Sequence, residues 1–251
     1  MRRSVQFLTA LSAFFVFAII GQAGDGDAAA IINKAIKAHF PKGLDTKNQG
    51  SRTKAKGTLH IQGLDLEFTQ EISVQAPAKF KEVMELTVMD KKTTVTTVFN
   101  GKEGWIRADD KDVKVTDEIL NELKEAAYLI NLMQGVFLKD KSVKFSVVGE
   151  VQVKGKPAVG VTASREGKKD INLFFDKKTG LIAKVESRRR DIMSGQEVTE
   201  ERFITEYQNS AGRMVAKKIE VQRDGKELME AEIVDIQVVG KLADSEFVQP
   251  Q

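Results

Sequence analysis

"LDLEFTQEISV", residues Leu64 to Val74, decides the fold. Leu64, Leu66, Phe68, Ile72 and Val74 alternate with Asp65, Glu67, Thr69, Glu71 and Ser73, the period of two that a strand shows when one face is buried and the other wet. Outward from it, turn-forming clusters recur roughly every 10 residues between apolar and β-branched runs, as in a series of hairpins. On the near side stand "IQG" at Ile61, "QAPA" at Gln75, "MDKK" at Met89 and "NGKEG" at Asn100. Further along come "VKGKP" at Val153, "REGKK" at Arg165, "DKKTG" at Asp176, "MSGQ" at Met193, "NSAG" at Asn209 and "RDGK" at Arg223. The count predicts about eleven or twelve antiparallel strands.

Two stretches change period. Ala28 to Phe40 places Ile31, Ile32, Ala35, Ile36 and Phe40 at helical spacing, with Asp27 as N-cap and "PKG" as stop. Thr116 to Gln134 has a Thr or Asp cap, acids in its first turn and a stripe of Ile119, Leu120, Leu123, Ala127, Ile130 and Met133. Leu129 and Leu132 widen that stripe beyond half the circumference. A sheet of more than about ten strands twists and curls on itself, and two helices are too few to cover both of its faces. The expected fold class is α+β, mainly antiparallel β: a strongly curved, unclosed β-barrel with helices covering the concave face.

The chain has 251 residues, two histidines and no cysteine, with 39 Lys+Arg against 36 Asp+Glu. Arg2 and Arg3, the apolar run Val5 to Ile20, and Gly21 and Ala23 at cleavage-site spacing predict a secretory signal over residues 1–23. The run of about 16 residues is shorter than the roughly 20 that span a bilayer. Residues 24–251 are then one exported, soluble domain. Without the two signal arginines the balance is 37 against 36, so no concentrated basic face for nucleic acid is expected, and disulfides cannot hold the fold.

The residues that carry chemistry are sparse. Neither His39 nor His60 has a metal-ligand partner at HxH or HExxH spacing, and there is no nucleophile elbow or P-loop. Asp109, Asp110 and Asp112 lack the glycine and bidentate glutamate of a calcium loop, and read as a solvated hairpin or helix-entry turn. Arg188, Arg189 and Arg190 sit in a strand, where neighbours point to opposite faces and cannot form one patch. No catalytic residue, metal or cofactor is expected. The inward residues are adaptable ones: Leu66, Phe68, Phe80, Met84, Leu86 and Trp105 on strands, with Leu120, Leu123, Ala127, Ile130 and Met133 on the second helix. Phe137, Phe145 and Phe174 join the same inventory. Such side chains suit a site for flexible acyl chains, and they serve an irregular filled core equally well.

The order of parts, with "VFNGKEGWI" (Val98 to Ile106), "APAKF" (Ala76 to Phe80) and "DKKTGLIAKVE" (Asp176 to Glu186), resembles the LolA/LolB outer-membrane lipoprotein carriers and their wider superfamily. The resemblance covers nearly all of residues 24–251. It implies an unclosed barrel roofed by helices, a periplasmic location, and a cavity for the acyl chains of lipoproteins or other lipids, exchanged with a membrane-bound donor and acceptor. Trp105 would then pack under the lid helix or against lipid. One departure stands out: the carriers have an arginine before the proline of the "APAKF" turn, where this chain has Ala76, so the family's lid latch is not expected here. The alternative within the same fold is a non-enzymatic sensor or regulatory module that binds a protein partner on its wet face or an edge.

Overall fold

The computed structural model describes residues 25–43, 50–61, 63–88, 91–135, 140–191 and 194–250; residues 1–23, read from sequence as a secretory signal, and Phe137 lie outside them. Helix α1 (Asp25–His39) precedes a meander of six strands: β1 (Gly50–Ile61), β2 (Leu64–Gln75), β3 (Lys79–Val88), β4 (Lys91–Phe99), β5 (Gly104–Ala108) and β6 (Lys111–Val113). Helix α2 (Asp117–Met133) leads to a second meander: β7 (Lys144–Val153), β8 (Lys156–Ser164), β9 (Ile171–Asp176), β10 (Ile182–Arg190), β11 (Glu197–Ser210), β12 (Arg213–Arg223) and β13 (Lys226–Val239). A short 3-10 turn (Asp244–Phe247) follows β13.

All thirteen strands form one antiparallel sheet in the order β6-β5-β4-β3-β2-β1-β13-β12-β11-β10-β9-β8-β7. Among the described residues the two meanders pair only through β1 and β13, whose register runs from Gly50 opposite Val239 to Leu59 opposite Met229. Strands β6 and β7 are the free edges, so the barrel is open, as the pattern predicts. The strand beyond the expected twelve is β6. Its three residues are all exposed, so it carries no apolar alternation, and only its backbone pairing with β5 reveals it.

The face that meets the helices is fixed by register. Phe68, Gly57, Ala231, Ile219 and Ile204 are successive cross-strand partners, and Ile204 packs in the cluster built by both helices. Ile32 and Ala35 of α1 and Tyr128, Leu129 and Leu132 of α2 meet there with Val161, Leu173, Phe175 and Val185. Helix α2 occupies almost the predicted span, with Thr116 as N-cap accepting from the Ile119 amide. Helix α1 starts earlier than expected, which places Asp27 inside its first turn rather than at its cap.

His39 docks the end of α1. Its Nε2 accepts from the Ile182 amide at 3.1 Å, which leaves the proton on Nδ1 to donate to the Met214 carbonyl at 3.2 Å. The Tyr207 ring lies edge-on to the imidazole, and its hydroxyl donates to the Ile182 carbonyl at 2.7 Å. Burial lowers the His39 pKa below 6.5 and outweighs the opposing Met214 bond. The native state therefore binds fewer protons than the unfolded chain below pH 6.5, and stability is present above that pH and lost as pH falls through it. The melting temperature is expected to drop between pH 6.5 and about 5, and most of that drop should be missing in His39→Phe, measured by thermal denaturation over that range.

Candidate functional site

Helix α2 crosses from one free edge of the sheet to the other, and its side chains meet both meanders. On one side Leu123 and Ala127 are buried against Val74, Phe80 and Phe99, with Leu120 and Ile130 alongside. Gly104 permits this approach, since a Cβ there would lie 2.4 Å from Leu123 Cδ1. On the other side Tyr128, Leu129 and Leu132 enter the larger core, with Met133 against it. Polar ties reinforce both contacts. Asn131 donates to the Pro77 carbonyl in the "APAKF" turn, and Gln134 donates to Ser51 Oγ at 2.9 Å. Lys168 Nζ reaches Glu125 at 3.1 Å. Ala76 carries no charge, and the helix is nonetheless tied to that turn, by an amide.

Beside α2 the interior is ionic. Glu200 of β11 is 1% exposed and accepts from Arg202 Nη2 at 2.5 Å, Arg223 Nε at 3.1 Å and Arg189 Nη1 at 3.4 Å. Burial by itself would raise its pKa, but the fields of Arg202, Arg189 and Arg223 win and hold the carboxyl at about 2. Glu122 of α2, also buried, lies 3.7 Å from Arg189 Nε and accepts from the Arg190 amide at 3.2 Å. Arg223 also reaches Asp191 at 2.9 Å. Glu82 of β3 feels Arg202 and Arg189 and accepts from Gln70; burial is the largest influence on it and pushes its carboxyl up.

Past this layer the inner face is apolar again. Leu59, Leu66, Met84, Leu86, Val95, Ile106 and Met229 share the parity of Phe68. All seven are only half-buried, and none belongs to the four packed clusters of the described residues. They form an apolar wall that the helices leave incompletely covered. Two open grooves, of about 610 and 630 Å³, are lined mostly by charged and hydroxyl side chains such as Glu67, Thr69 and Glu230, or Lys169 and Arg188. No residue of α2 lines either one.

The residues predicted to share one site thus divide. Leu66, Phe68, Met84 and Leu86 lie on the uncovered wall or beside it. Phe80, Leu120, Leu123, Ala127 and Ile130 form a packed contact beneath α2, and Met133 and Phe145 belong to the larger core. Trp105 is on the opposite face from all of these, a correction to its expected place under the lid. Its neighbour Gly104 faces Leu123, so strand alternation turns the indole outward, where it packs with Val98, Val239, Leu242 and Phe247 of the C-terminal segment. Phe174 is likewise outward, with Lys184 Nζ 4.4 Å from its ring centre. The arginine and glutamate layer went unrecognised from sequence. Its only signal is charge at positions of inner parity, Glu200 and Arg202 on β11, which reads as ordinary wet-face alternation until Ile204, two residues on, is seen to pack in the core.

Among the described residues no group of three or more His, Asp or Glu is placed to hold a metal ion. Glu200→Gln removes the carboxylate from three guanidiniums and is expected to destabilise the fold by about 3 kcal/mol, read from urea denaturation. Phe247→Ala should red-shift Trp105 emission by opening the C-terminal cluster to water, whereas filling the inner face with an apolar ligand should leave the emission unmoved.

No protein-family model matches the sequence, and no curated protein is detectably similar to it. Solved structures do match in shape. The LolA superfamily protein NE2245 from Nitrosomonas europaea aligns with a TM-score of 0.54 at 11% identity, covering 88% of this chain and 97% of that one. A "putative outer membrane lipoprotein-sorting protein domain" from Vibrio parahaemolyticus gives 0.52 at 12%, covering 89% and 97%. A DUF1329 family protein from Desulfovibrio piger gives 0.52 at 15%, covering 88% and 97%. At such identities the likeness is one of fold: the chain has the LolA-like architecture of an open, curved sheet with helices against its inner face.

Proposed function

We propose that the protein is a non-enzymatic carrier that shields acyl chains of lipoproteins or other lipids on the inner face of its half-barrel. The observation that carries this reading is the wall of Leu59, Leu66, Met84, Leu86, Val95, Ile106 and Met229, half-buried and outside every packed cluster. An apolar surface on the inside of a curved sheet is expected to have an occupant. The lipoprotein-sorting description of a structural neighbour supports the class of cargo. Each buried methylene contributes about 0.8 kcal/mol. About ten of them supply about 8 kcal/mol, of the same order as the cost of association, so uptake stays reversible, as transfer between membranes requires. Lifting α2 adds Phe80, Leu120, Leu123, Ala127 and Ile130 to the same surface and makes that helix the gate.

Residues 1–23 serve in this reading as the export signal that delivers a soluble chain to the periplasm, where a membrane-bound donor and acceptor exchange the cargo. Among the described residues no helix is long and apolar enough to cross a membrane. Lipid extraction and mass spectrometry of protein purified from its host should recover acyl lipid, and a fluorescent fatty-acyl probe should bind. Met84→Asp and Leu86→Asp are each expected to weaken probe binding about tenfold or more, by replacing apolar contact with a charge, with circular dichroism checking the fold. Purified protein that carries no lipid and ignores the probe overturns the carrier reading.

A further inference from the structure

We propose that the cargo is an anionic amphiphile whose carboxylate or phosphate headgroup is held by Arg202, while its acyl chain lies along an apolar row that starts beside that arginine. This rests on the carrier reading and names the class of molecule carried.

The row follows from strand register. Arg202 is partnered by Val221, Val221 by Met229, Met229 by Leu59 and Leu59 by Leu66. Cross-strand partners share a face, and neighbouring strands lie about 4.8 Å apart, so these four steps cover about 19 Å. A long acyl chain has that reach. One end of the row is cationic and the remainder is aliphatic, so its two ends favour different parts of one molecule.

Charge pairing identifies which arginine receives the headgroup. Arg223 divides its donors between Glu200 and Asp191, and Arg189 lies between Glu200 and Glu122. Among the described residues Arg202 pairs with Glu200 alone, a carboxylate that all three guanidiniums share. Its Nε is buried and has no hydrogen-bond partner among the described residues, an arrangement that native interiors rarely leave standing. The fourth acid nearby, Glu82, accepts from Gln70, and burial pushes its carboxyl up. A carboxylate or phosphate oxygen at Arg202 Nε completes the guanidinium's pairing with a charge-assisted hydrogen bond.

The test compares a fluorescent long-chain fatty acid with its methyl ester, which keeps the tail and removes the charge, on the full exported protein. The acid is expected to bind at least about tenfold more tightly, and in Arg202→Gln it should bind no more tightly than the ester. Arg202→Lys, which keeps the charge but loses the Nε–H, should show an intermediate preference and serves if the glutamine variant does not fold. Acid and ester bound equally by the wild type overturns the headgroup assignment and leaves the carrier reading standing; failure of both probes to bind removes the two together. An undiminished preference in a folded Arg202→Gln also overturns it. A lysophospholipid should displace the acid, and inorganic phosphate alone should not; displacement by phosphate to the same extent would mean a site for a free anion and would refute the amphiphile.

Discussion

Everything in this molecule depends on the seam that α2 crosses. Among the described residues the two meanders pair as strands along β1 and β13 only, and their far edges, β6 and β7, stay apart. A helix with a narrow apolar stripe would settle against one wall and leave the other exposed. Helix α2 instead carries Leu123 and Ala127 toward β3 and β4, and Leu129 and Leu132 toward the second meander. Its amphipathic breadth therefore sets the separation of the walls. Asn131 at the Pro77 turn and Gln134 at Ser51 fix it at one end, and Glu122 fixes it beside the arginines.

That charged layer divides the interior. A buried carboxylate among three guanidiniums adds little net stability over apolar packing of similar volume, although breaking it is costly. What it does impose is a partition. On the helix side lies a dry core around Leu132, Val161 and Leu173, all fully buried. On the far side lies the half-exposed wall from Leu59 to Met229. A uniform oily hollow would accept any hydrocarbon, whereas an apolar wall bordered by arginines presents an aliphatic and a cationic end on one face.

The helices, the hairpin series and the open sheet were legible because each depends on local periodicity. Leu64 to Val74 alternates without regard to what lies opposite, and Thr116 to Gln134 shows both its cap and its stripe. Other features resisted reading for stated physical reasons. Strand β6 is too short and too exposed to show alternation. The family resemblance placed Trp105 inward, yet its face follows from Gly104 and Phe99, and the partner that covers it, Phe247, lies far along the chain. Glu200 and Arg202 were indistinguishable from wet-face charges, because only the packing of Ile204, on the same face of β11, under the helices assigns their side.

The sequence by itself determined the kind of elements, their order, and that one face of a large antiparallel sheet must be covered, since those follow from periods of 2 and 3.6 and from turn-forming residues. It also determined that no cysteine chemistry takes part. Only the tertiary structure decided which apolar residues pack and which remain open, that Asn131 takes up the tie at the Pro77 turn, and that four strands' worth of charges converge beside α2. Burial and pairing are set by residues distant in the chain that the curvature of the sheet brings face to face, and no local pattern encodes that distance.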